Sequence, residues 1–186
     1  MPQSNALELT RRWLRDWVIE LNLCPFASHP YSQGKVRIVS IAAADDDEAF
    51  RFVLEQLDLL YRTPAEDIET TLVVVEKGLE SFDYYLDLLQ QLEAILPQTG
   101  LEGEIQIASF HPEYCFEGEM PEDASNYTNR SPYPMFHLIR EASLEKAIAA
   151  HPDAEGIPGI NMQKLREMGL ENVKRRLENI LGRDHQ

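Results

Sequence analysis

The chain has 186 residues, enough for one domain with a helical extension, and 44% of them are hydrophobic, enough for a real core. Its 32 acidic and 17 basic side chains leave a net charge of −15, which opposes a diffuse nucleic-acid surface because phosphate binding relies on a local excess of Lys and Arg. Apolar runs fall far short of the ~20 residues of a membrane span, the opening MPQSNALELTRRW lacks a signal peptide's apolar core, and two cysteines make no disulfide framework, so a cytoplasmic protein forming a single α/β domain over residues 1–186 is expected.

Asn5 and Glu8 resemble a capping box, and Leu7, Trp13, Leu14, Trp17, Val18 and Leu21 then repeat with helical spacing. Val36–Ile41 alternates like a strand. Asp45 and Glu48 can cap the next helix, whose buried stripe is Phe50, Val53, Leu54, Leu57 and Leu60. Thr70–Val75 is the strongest strand, because its LVVV run suits a central position covered on both faces. Ser81 can cap a helix carrying Phe82, Tyr85, Leu86, Leu89, Leu92 and Leu96, ended by Pro97 and Gly100. Glu104–Phe110 is the third strand. Strands separated by helices imply crossover connections and one small sheet of at least three strands with flanking helices.

A long loop follows the third strand, and a fourth strand has room to lie within this irregular region. Pro134 fits the first turn of a helix bearing Met135, Phe136, Leu138, Ile139 and Ala142. The C-terminus is helical: Pro158–Gly159 marks a loop, Asn161 can cap a short helix reaching Met168, and Leu170–Leu181 follows Gly169. In that last helix Lys174, Arg175 and Arg176 form a basic run that reads as a solvated face.

The unusual polar chemistry concentrates in the loop and its flanks. His111 stands at the carboxyl end of the third strand, where open α/β sheets place ligand-binding groups. Imidazole serves there as acid, base or metal ligand, or ties the strand to the loop. Arg130 suits a carboxylate or phosphate, with Asn129 orienting the same ligand, or else pins the loop with Asp123 or Glu141 as acceptor. His137 and Arg140 are three residues apart and would share a face of the expected helix. Cys24, in NLCPFA after the first helix, is a buried thiol, a metal ligand or a nucleophile, while Cys115 reads mainly as packing. The expected site therefore has His111, His137 and Cys24 as catalytic groups and Asn129, Arg130 and Arg140 as binders of an anionic small molecule. His111 and Arg130 should line one cleft at the carboxyl ends of the strands, under the segment Phe110–Ser131. Cys24, His111 and His137 form the alternative, a metal set with water as fourth ligand. A non-catalytic anion-binding or assembly module is the third reading. No cofactor or oligomeric state follows from the residues.

Four segments, WVIELNLCPFA at 17–27, ETTLVVV at 69–75, QIASFHPEYCF at 106–116 and NYTNRSPYPMFHLIRE at 126–141, resemble an uncharacterised bacterial family catalogued as a domain of unknown function, number fourteen-fifteen. The resemblance covers almost the whole chain and implies a compact bacterial protein, without an activity, substrate or cofactor. Cys24, Pro25, His111, Pro112, Asn129, Arg130, Pro132, Pro134, His137 and Arg140 fit the motifs of that family, whereas Cys115 lies where similar chains often carry another polar residue.

Overall fold

Among the residues described by the computed structural model, 5–43 and 45–182, four strands form one sheet: β1 (Val36–Ala42), β2 (Thr70–Lys77), β3 (Ile105–Phe110) and β4 (Met135–Arg140). Their order is β1-β2-β4-β3. β1 runs parallel to β2, and β4 lies antiparallel between β2 and β3. The LVVV run is central as its composition demands, with every residue from Thr70 to Val75 buried. The three expected strands share this sheet.

β4 is the fourth strand, and it replaces the helix expected after Pro134. Its side chains Met135, Phe136 and Leu138 are buried on both faces of the sheet, so the apolar positions read as a continuous run without a period. Such a run is compatible with either structure, and only the pairing partners decide. The helix begins after it, as α5 (Glu141–Ala149).

Two layers of helix cover the sheet. On one face α3 (Asp46–Arg62) and α4 (Phe82–Thr99) pack Val53, Leu57, Leu60, Tyr85 and Leu92 against Val73, Val75, Phe136 and Leu138. Asp45 caps α3 by accepting from the Glu48 N–H at 2.8 Å. Pro97 lies inside the last turn of α4 rather than beyond it, and Gly100 closes that helix at φ +73°, a left-handed position that favours glycine.

On the other face α1 (Asn5–Trp13) runs into a π-helical segment, Leu14–Ile19, and on through a turn to Cys24. Asn5, expected as the cap, is already the first described residue of the helix. Trp13, Trp17 and Val18 pack there on Leu72, Val74 and Met135. A short α2 (Ser28–Ser32) follows. α6 (Ile157–Met168) and α7 (Leu170–Leu181) complete the layer. Pro158 lies in the first turn of α6, where the missing N–H costs nothing. Asn161 is therefore inside that helix rather than its cap, donating to the Leu23 carbonyl at 2.5 Å.

Candidate functional site

A cavity of about 710 Å3 opens on the face carrying the tryptophans. Its floor is the sheet, through Thr70, Leu72, Phe110, His137 and Ile139. Trp13, Leu14 and Val18 form one wall, and the turn Cys24–Ala27 a second. The third is α5 and the residues after it: Ser143, Leu144, Ala147, Ala150 and His151 recur at i, i+1, i+4, i+7 and i+8, one stripe of a helix. Phe26 meets His151 edge to face, ring centroids 5.8 Å apart, joining the turn to the end of that wall. Charge is confined to Lys35, Glu69 and Lys146 among the lining groups, beside the imidazoles of His29, His137 and His151. A second hollow of about 530 Å3 lies between the π-helical segment and α7, but its charges answer one another, as in the 3.0 Å pair of Arg176 with Glu20. The basic run of α7 is otherwise a surface feature, with Lys174 3.7 Å from Glu171 and Arg175 bonded to Asn172.

Cys24 and His137 line the same cavity. They are the two expected site residues that line it. Burial pushes the Cys24 thiol up, against the backbone N–H groups of Phe26 and Ala27, which favour the thiolate. His137 Nε2 lies 2.7 Å from Thr70 Oγ1, and that hydroxyl lies 2.6 Å from the Leu138 carbonyl. Burial lowers the His137 imidazole to about 4, so it is neutral at neutral pH. A neutral thiol and a neutral imidazole facing one cavity differ from the ion pair of a thiol enzyme.

The other expected site residues lie elsewhere. Phe110–Ser131 does pack at the carboxyl ends of the strands, with the His111 N–H donating to the Asn129 carbonyl and the Asn129 side-chain amide to Ser109. His111, however, is fully buried against Phe82 and Tyr85 of α4. Its Nε2 is 2.9 Å from the Leu79 carbonyl, and its Nδ1 accepts from the Glu113 N–H at 3.0 Å. Both ring nitrogens are thus engaged by backbone, and burial lowers its pKa. Arg130 donates to the Tyr114 and Pro121 carbonyls at 3.1 and 2.8 Å and lies over the Tyr127 ring at 4.4 Å. It pins the loop, with carbonyls as acceptors in place of Asp123 or Glu141. Asp123 pairs instead with Arg166 of α6 at 3.0 Å. Hence His111 and Arg130 share no cleft: each is tied into its own network, and neither lines the cavity.

Arg140 belongs to the opposite face from His137, because residues three apart on a strand point opposite ways. Its guanidinium collects the carbonyls of Leu60, Thr63 and Ile68 at the end of α3. The expected metal set does not assemble, since His111 packs with α4 while Cys24 and His137 face the cavity. Among the described residues no group of three His, Cys, Asp or Glu side chains is placed to hold a metal. Cys115 is half-buried, its thiol directed at the Phe116 and Glu119 carbonyls.

Thr70 and the α5 stripe were not among the expected site residues. The stripe was legible as spacing; the role of Thr70 was not, because it depends on which strand lies beside β2.

The fold and the cavity together define a small mixed α/β protein with an apolar pocket on one face of its sheet, walled by helices. A family model described as protein of unknown function (DUF1415) matches residues 5–175, and the chain belongs to that family. Neither the curated proteins nor the solved structures contain a match to it. No helix among the described residues is long and apolar enough to cross a membrane.

Proposed function

We propose that this protein binds a small molecule with an apolar body in the cavity formed by the sheet, the Cys24–Ala27 turn and α5. The observation that carries the reading is the cavity itself: about 710 Å3 with a mainly apolar lining and a few convergent polar groups, the usual size and character of a small-molecule site. Lys35 and Lys146 against Glu69 give the lining a net cationic bias, which suits an anionic group on the ligand. The two free cysteines suit a reducing compartment, and we place the protein in the cytoplasm. Titration with 1-anilinonaphthalene-8-sulfonate, an apolar anion, tests the reading. Saturable enhancement of fluorescence is expected, and loss of it in Ala147→Trp, which fills the space from α5. Undiminished binding to that variant, with its near-ultraviolet circular dichroism retained, would place the dye elsewhere and refute the assignment.

A catalytic use of the same cavity is the second reading, with Cys24 as nucleophile and His137 as proton acceptor. It is favoured by the two backbone N–H groups that support negative charge on the sulfur. Here Cys24 reacts faster than Cys115 in a brief pulse of iodoacetamide on the folded protein, read by mass spectrometry. Equal, slow labelling of both removes the thiol from the chemistry.

A further inference from the structure

The hydrogen atoms around Thr70 can be counted. Its hydroxyl has one, and the 2.6 Å contact with the Leu138 carbonyl can be a hydrogen bond only if that hydrogen is donated there. The 2.7 Å contact with His137 Nε2 then needs a hydrogen from the imidazole, since the threonine has none left to give. Nε2 therefore carries the proton. In a neutral ring, Nδ1 is left with its lone pair, which accepts no hydrogen bond from the described residues. Two strands build this arrangement. Thr70 stands opposite Ile139 and His137 opposite Leu72, so the pair meets on the diagonal across β2 and β4, on the cavity face. The cavity floor thus offers a hydrogen-bond acceptor in an otherwise apolar surround.

We infer that the ligand of this cavity carries a hydrogen-bond donor, a hydroxyl or an N–H, at its buried end, read by His137 Nδ1, and that Thr70 is the positioning residue that fixes the imidazole in its Nε2–H form. This rests on the small-molecule reading above and narrows it. A carboxylate or phosphate pointed at the floor would set its oxygen lone pairs against that of Nδ1, with no proton between them. The anionic group that Lys35 and Lys146 suit is therefore not the group that meets the floor. An apolar ligand without a donor would leave Nδ1 buried and unsatisfied, which is the stronger penalty. Selectivity comes from what the wrong ligand leaves unmade.

The probes are 2-naphthol and 2-methoxynaphthalene, which share an aromatic body and differ in the donor. On the wild-type protein, 2-naphthol should bind about tenfold more tightly, the scale of one net hydrogen bond. The preference should fall toward unity in His137→Phe, which keeps an aromatic ring, and in Thr70→Val, which keeps the shape of the threonine and releases the tautomer. Nitrogen NMR of the ring provides a reading that does not depend on variant folding. In the wild-type protein the His137 signals should show a protonated Nε2 and a bare Nδ1, and 2-naphthol alone should shift Nδ1. Equal affinity for the two probes, or a ring protonated at Nδ1, would overturn the inference and leave the cavity reading intact. Failure of both probes to bind would count against the cavity reading itself. A concentration-dependent dimer that 2-naphthol dissociates would mean that a second copy of the chain occupies the groove, and would overturn both.

Discussion

A cation beside three carbonyl oxygens serves whatever those carbonyls end, and at Arg140 they end a helix. The last carbonyls of α3 are short of donors, a single N–H, that of Thr63, serving both Leu59 and Leu60, and the negative end of the helix dipole lies there. The guanidinium reaches Leu60 and Thr63, then Ile68 in the approach to β2. Arg140→Met keeps the stem and removes every donor. It should cost about 1.5–3 kcal/mol of stability, the scale of hydrogen bonds to a charged group, and leave the affinity for naphthalene probes unchanged. Urea denaturation alongside the dye titration checks both halves, and weakened dye binding at full stability would return Arg140 to the site. The sequence made Arg140 and His137 visible as residues but not as neighbours or strangers. On a helix, three residues apart means one face; on a strand it means opposite faces. The place of Cys24 on the cavity wall depends on the end of one helix and the turn after it, both local.

At the scale of elements, α5 is the least secured part of the cavity. None of its residues is buried, although Ser143, Leu144 and Ala147 face the hollow. A helix with so little apolar area removed from water has little to hold it beyond its link to β4. Amide hydrogen exchange should accordingly be faster in Glu141–Ala149 than in α3 or α4, and 2-naphthol should slow it there more than in any other helix. Uniform protection, unchanged by ligand, would mean that α5 is already fixed by contacts other than the cavity. α4 shows the opposite case. Tyr85 is fully buried in it, donates to the Met135 carbonyl at 2.7 Å and accepts from the Phe110 N–H at 3.2 Å, so one hydroxyl joins β4 to the end of β3. The first three strands and their helices were legible because their periods differ from those of their neighbours. β4 was not: like β2 it is buried on both sides, but it lacks a β-branched run such as LVVV, and Pro134 before it also fits the first turn of a helix.

The whole molecule carries these local choices as a dependence on pH. His137 is held at about 4 against an ordinary histidine value of 6.5, and burial lowers His111 in the same direction. Between those two values the unfolded chain binds more protons than the native one, so stability is complete above the ordinary value and drains away as pH falls toward the native value. For His137 alone the loss should reach roughly 2–3 kcal/mol by about pH 4.5. Urea midpoints at neutral and mildly acid pH should diverge in the wild type and converge in His137→Phe, and an equally steep fall in that variant would lay the dependence on other groups. Asp123, lowered to about 2 by Ser125 and Arg166, acts separately. Its contribution is present above its ordinary value of 3.8 and lost as pH falls through about 2, and its exposure keeps that contribution small.

The position of β4 also sets a timetable. It is the last strand to be made, yet it sits second from one edge, between β2 and β3. A nascent chain that has reached Pro134 already contains LVVV with one edge open, and nothing yet synthesised belongs there. β3 does not belong there either, since its native neighbour is β4 and not β2. An unpaired edge on the most apolar strand is a template for other chains. The protein therefore passes through its most vulnerable state on the ribosome, late in translation, and a message broken before the codon for Met135 would yield a product that cannot close its own sheet.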